Sequence, residues 1–252
     1  DLYHNAKDGL NPVGVWDLMS NIQPVAQHMT AYTKWRYCHW IDSIPTISTP
    51  GTYRLNPIGG DDSTKIAYKI QPVGRREYFV IEYRKKEGFD ASLPESGLIV
   101  YRVNPDLTGG NLAYNGTTRL DEQYIFRPGG TTTSDGDLSR AAFSADNGRT
   151  AFGGAAAQRP FYSDGTEANF AIANISAVGE YMTFDLLQSA NRVVLSETAV
   201  TLGGAANSGA TVKVSSDNAW VASGVPAWLT LSQNTGNKGD TQVTLAASSA
   251  NT

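Results

Sequence analysis

The sequence predicts a mainly β protein: a short loop-and-helix segment, then a β-sandwich, then a smaller immunoglobulin-like sandwich. Three observations lead there. Helical character is confined to residues 30–41, an aromatic-rich stretch. From residue 51 onward, apolar residues alternate with polar ones or form short blocks bounded by Gly and Pro, as strands do. From about Asn191 the texture shifts to short segments rich in Val, Thr and Ser with a turn roughly every ten residues, the spacing of an immunoglobulin-like sandwich.

Residues 1–45 read as loop, turn and helix. Thr30 is placed to cap the helix, Lys34 and Arg36 lie toward its C-terminal end where the helix dipole favours cations, and Pro45 prevents continuation. Tyr32, Trp35, Tyr37, Trp40 and Ile41 do not fall on one stripe, so this helix needs cover on more than one side.

Residues 46–189 read as one β-sandwich. Ile66, Tyr68 and Ile70 alternate with polar or small residues and predict a half-buried strand. Residues 78–84 and 97–103 are denser and belong near the middle of a sheet. Residues 123–126 precede the strong stop Pro128-Gly129-Gly130, and residues 170–175 and 180–186, split by Val178-Gly179, predict a closing hairpin. Long loops are expected between about 104 and 168, where Gly, Thr, Ser, Asn and Ala dominate. Residues 190–252 form the last unit, with strands around 193–196, 210–214, 226–232 and 241–245.

Bulk properties exclude several functions. The net charge of −4 over 252 residues is scattered, so it mainly favours solubility. The one basic run, Arg84-Lys85-Lys86, is bounded by Glu82 and Glu87 and reads as a solvated strand end, not a nucleic-acid patch. No apolar run approaches the roughly 20 residues a membrane helix needs. A single cysteine, Cys38, rules out an internal disulfide framework and is expected to pack within the helix.

Several separated motifs carry a resemblance. Asp1-Leu2-Tyr3 leads into Gly14-Val15-Trp16-Asp17-Leu18-Met19-Ser20 and then the aromatic helix. Further on come Tyr78-Phe79-Val80-Ile81-Glu82-Tyr83-Arg84, Gly88-Phe89-Asp90-Ala91-Ser92-Leu93-Pro94 and Ser96-Gly97-Leu98-Ile99-Val100-Tyr101. Together with the run from Arg127-Pro128-Gly129 to Ile172-Ala173-Asn174-Ile175-Ser176, they resemble the immune-inhibitor-A-type secreted zinc metallopeptidases over about residues 1–187. That family carries an H-E-x-x-H-x-x-G-x-x-D stretch followed by Leu-Tyr and a W-D-L-M turn, and this chain begins at the last position of that pattern. The resemblance implies that Asp1 is a third zinc ligand in the intact enzyme and that Met19 is the Met-turn residue supporting the metal-site floor. It implies a secreted or cell-surface location, zinc in the parent, a protein or glycoprotein substrate, and room for a structural calcium. Where the family often has His or Asp, near Val103 and Asn104, this chain has neither.

Zinc hydrolysis needs two His one helical turn apart and a Glu between them as general base. The only histidines are His4, His28 and His39, and no two have that spacing. The chain is therefore expected to be the back half of a protease, a zincin remnant at residues 1–45, inactive alone. The order N-A-W, P-A-W-L-T-L-S, T-G, V-T-L and A-N in the last unit resembles the BACON module of gut Bacteroidetes proteins, which normally continues past the position of Asn251; truncation and an unpaired sheet edge are expected.

The remaining candidates divide between chemistry and packing. Asp17 reads as a residue tying its turn through backbone hydrogen bonds. His4 reads as solvated, while His28 and His39 read as capping or packing residues. Asp61-Asp62 and Asp135-Gly136-Asp137 suit Ca²⁺ if carbonyls converge, but neither has EF-hand spacing and structural turns are preferred. Trp220 and Trp228 are the candidate glycan contacts, with core packing expected for at least one of them. The rival function is a glycan- or mucin-binding adhesin with a non-catalytic peptidase-like domain.

Overall fold

The computed structural model describes residues 10–107, 121–187, 193–216 and 218–249. Antiparallel sheets dominate, with one short α-helix among the described residues. The chain divides into two compact units, Asp1–Gln188 and Ser189–Thr252.

Besides three short 3-10 turns, the described elements of the first unit are α1 (Ala31–Arg36), β1 (Gly51–Leu55), β2 (Ala67–Ile70), β3 (Tyr78–Arg84), β4 (Gly97–Val103), β5 (Gln123–Ile125), β6 (Phe152–Gly153), β7 (Ala171–Ala173) and β8 (Met182–Leu187). They form two four-stranded sheets, ordered β2-β3-β4-β5 and β1-β8-β7-β6. The long apolar segments β3 and β4 lie inside the first sheet and are buried along their whole length. Strand alternation sorts their side chains between two cores. Phe79, Ile81, Tyr83, Leu98 and Val100 meet Phe152, Ile172, Met182 and Phe184 of the other sheet. Tyr78, Val80, Ile99, Tyr101 and Val103 face the opposite way, onto Val13, Trp16, Ala31 and Tyr32. Residues from the segment 10–45 thus cover the outer face of the sheet and share its core.

The helix is shorter than the sequence suggests. Thr30 caps it as expected, its hydroxyl accepting from Thr33 N–H at 3.2 Å. It ends at Arg36, well before Pro45, because His39 takes a left-handed conformation (φ 55°) and Trp40 N–H turns back to the Lys34 carbonyl at 2.9 Å. Trp40 is left exposed while Tyr32 is buried.

Gly153 in β6 is a position where only glycine fits. Its φ is +80°, and a Cβ there would collide with the Phe170 carbonyl oxygen. Gly153→Ala is expected to cost about 2–3 kcal/mol, from left-handed strain plus the lost β6–β7 pairing. Urea unfolding of the variant measures it, and a loss below half of that would show that β6 relaxes freely.

The second unit holds β9 (Val193–Leu195), β10 (Gly209–Ser216), β11 (Trp220–Val221), β12 (Leu229–Leu231), β13 (Thr235–Gly236) and β14 (Gly239–Ala247). One sheet runs β12-β14-β10-β9, and β11 pairs with β13. Its core is small: Val214, Trp220 and Val243 are buried together, with Ala222 and Leu231 against them. Gly236 stands opposite Trp220 in the β11–β13 pair, and the indole occupies the space a Cβ would need.

Candidate functional site

The densest polar constellation lies between the outer face of β3–β4 and the segment leading into α1. Alternation puts Glu82 and Arg84 on the same face of β3 as Val80, so both side chains point into an apolar layer. Arg84 is fully buried. Its Nε and Nη2 donate to the two carboxylate oxygens of Asp90 at 2.8 and 2.7 Å, the bidentate fork that guanidinium geometry favours. Nη1 donates to the Trp16 carbonyl at 2.5 Å and to Glu82 at 3.4 Å, and Nη2 also reaches the His28 carbonyl at 3.0 Å. Glu82 in turn accepts from Ala31 N–H at 2.8 Å and from the Tyr101 hydroxyl at 2.9 Å.

Asp17 does the same for the helix start. It accepts from Met19 N–H at 2.7 Å, Thr30 N–H at 2.8 Å and the Thr33 hydroxyl at 2.9 Å. Gln123 on β5 closes the ring, accepting from the Thr30 hydroxyl at 2.7 Å and donating to the Thr33 hydroxyl at 3.1 Å. On the other side of α1, Tyr32 and Tyr37 both donate to Glu122, at 2.6 and 2.5 Å. One turn, one helix and the strands β3, β4 and β5 are joined by hydrogen bonds that leave few buried polar atoms idle.

Burial shapes the titration of these groups. It pushes the Glu82 carboxyl up despite the pull of Arg84, and the Asp17 carboxyl up despite its hydrogen bonds from Thr30 and Met19. Burial also lowers Lys34 and His28, which lie within 3.2 Å of each other. A carboxyl whose folded pKa is raised contributes stability that is fully present below its unfolded value, about 4.3 for Glu, and lost as pH rises through the folded one. The stability of the wild type relative to Glu82→Gln is therefore expected to improve on acidification and decline toward neutral pH. Paired urea titrations across that range test the sign; the opposite slope would mean that the Arg84 pairing outweighs burial.

Chemically, this arrangement is a clamp. Its charged groups are enclosed and mutually engaged, so they hold chain segments together and are not presented to a substrate. Arg84 corrects the sequence reading of a solvated basic run: only Lys85 and Lys86 behave that way, because alternation turns Arg84 inward beside Glu82.

The other candidates are dispersed. Asp1 and His4 lie outside the described residues. Met19 is 45% exposed on the turn that Asp17 ties. His28 packs its ring against Gly59 and donates its backbone N–H to Asp90, while His39 serves the helix end. Cys38 is partly exposed, its thiol 3.5 Å from the Met29 sulfur. Asp62 is engaged by Thr64 and Asn56 and Asp137 by Ser139, close by in the chain, whereas Asp135 accepts from Arg127 and from the distant Asn11 N–H. Among the described residues there is no group of three or more His, Cys, Asp or Glu that could hold a metal ion. Trp220 is buried, whereas Trp228 is 55% exposed. No helix among the described residues is long and apolar enough to cross a membrane.

Fold and site together define a mainly antiparallel β protein whose sheet is clamped to an N-terminal turn and helix. No family model, curated protein or solved structure matches the chain.

Proposed function

We propose that this chain is the non-catalytic body of a secreted or cell-surface zinc metalloendopeptidase of the immune-inhibitor-A type, and that it does not cleave peptides alone. One observation carries the reading. The sequence motifs behind the resemblance are far apart in the chain, yet Asp17 of the W-D-L-M turn, Glu82 and Arg84 of β3, and Asp90 of the following segment belong to one buried cluster around the Trp16 and His28 carbonyls. Motifs that meet in space behave as parts of one device, which chance similarity does not require.

In this reading the two sheets of the first unit are a β-sandwich, and residues 10–45 are the floor of a zincin catalytic domain. The exposed Met19 turn is the part of that floor turned toward a metal site. Zinc would be held by an H-E-x-x-H helix with Asp1 as third ligand; no catalytic step belongs to the described residues. The second unit is an immunoglobulin-like, BACON-type module, and the substrate is a protein or glycoprotein. The purified chain is expected to give no chelator-sensitive hydrolysis of casein in zinc-containing buffer. Cleavage abolished by EDTA and restored by zinc would refute the reading.

A second reading rests on Trp228, whose exposed indole offers a stacking face. Under it the chain is a glycan- or mucin-binding adhesin, and retention on immobilised mucin is lost in Trp228→Ala.

A further inference from the structure

A cavity of about 680 Å³ in the first unit is lined by four arginines, Arg127, Arg140, Arg149 and Arg159, with Thr131 and Phe161. They come from the turn after β5 and the loops on either side of β6. Two of the four charges are already paired. Arg127 is fully buried, donating to the Asp135 carboxylate at 2.7 Å and to the carbonyls of Asn11, Pro12, Ile125 and Asp135. Arg159 pairs with Glu167 at 3.1 Å.

Arg140 and Arg149 differ. No carboxylate among the described residues forms an ion pair with either. Arg149 is held by neutral groups: it donates to the Arg140 and Ala142 carbonyls and to Gln158 Oε1, and lies 3.8 Å over the Phe143 ring. Gln158 passes the contact on, donating to the Arg127 carbonyl at 2.6 Å, so the wall is braced. Burial lowers the Arg149 pKa to about 10; Glu95 opposes that from beyond ion-pair distance, and Arg140 adds to it. A half-buried guanidinium fixed beside a second one, with no described carboxylate within ion-pair distance, is relieved by a bound anion.

We infer that this cavity binds a sulfate or phosphate monoester carried on a sugar-sized polar body. Guanidinium forks match a tetrahedral oxyanion, and the volume falls within the range of small-molecule sites. The half-buried Phe161 ring supplies a face for the body of the ligand and Thr131 a hydroxyl. Two unpaired cations in a chain of net charge −4 do not make the extended basic track that a nucleic acid needs. The inference is independent of the peptidase reading.

Titration calorimetry on the whole chain tests it with N-acetylglucosamine 6-sulfate, N-acetylglucosamine 6-phosphate, N-acetylglucosamine and inorganic sulfate. At least one ester is expected to bind at least about tenfold more tightly than the neutral sugar and than inorganic sulfate. The stronger ester identifies the natural chemistry. Arg140 is exposed, so Arg140→Gln is expected to weaken ester binding about tenfold with an unchanged melting temperature. Arg149→Lys, which keeps charge but not the fork, also weakens it. Equal binding of the neutral sugar, inorganic sulfate as tight as the esters, no ester binding at millimolar concentration, or an indifferent Arg140→Gln would each overturn the inference.

Discussion

Replacing Arg84 with Met is expected to destabilise the first unit by about 3–5 kcal/mol, the cost of removing one partner from a buried ionic cluster. The side chains are similar in volume, so little of that loss would come from a cavity. It comes from what stays behind. Asp90 and Glu82 remain enclosed without their cation, and the Trp16 and His28 carbonyls lose a donor. Arg84→Lys restores the charge but has three donors where guanidinium offers five in a fork, so it should recover only part of the loss. Urea unfolding combined with amide exchange in β3 and β4 separates this effect from the second unit. A loss under about 1 kcal/mol would place Arg84 in the class of solvated surface ion pairs and remove the clamp.

In the second unit, Trp220→Ala is expected to cost about 3–5 kcal/mol, as large-to-small changes in cores do. So small a core, built on Val214, Trp220 and Val243, has little else to hold it. The expected result is loss of exchange protection along β10 and β14 with β3 and β4 unaffected. Trp228→Ala should change stability by less than about 0.5 kcal/mol, since that side chain is 55% exposed. Trp220→Phe should be mild, because the Trp220 Nε1 is buried with no acceptor among the described residues and its removal forfeits no hydrogen bond. Equal effects of the two alanine variants would contradict this division of roles.

Much of the sheet architecture was legible because its signals are local. The dense apolar runs of β3 and β4 predicted interior strands, and the Val178-Gly179 break predicted the β7–β8 pairing. The clamp was not legible because its partners are distant in sequence. Nothing beside Arg84 announces that the Trp16 and His28 carbonyls, 68 and 56 residues away, will receive its N–H groups. Its charged neighbours Lys85 and Lys86 argued for solvent, and only the alternation shared with Val80 and Glu82 pointed inward. The sequence marks Asp17 as a turn residue, which its bond to Met19 N–H matches, but its reach to Thr30 and Thr33 depends on where α1 docks. The helix ran short because a left-handed His39 is a backbone event that side-chain periodicity does not encode. Trp220 and Trp228 both have apolar strand neighbours in sequence; in the fold Trp220 opens β11 opposite Gly236, whereas Trp228 lies in the turn before β12.

Zinc stoichiometry tests the central claim most directly. Elemental analysis would compare this chain with a longer version in which an H-E-x-x-H helix precedes Asp1. The account predicts one equivalent of tightly held zinc in the longer protein and none in the shorter. An extended protein that binds no zinc, or a stoichiometric zinc already present in the shorter chain, would contradict it.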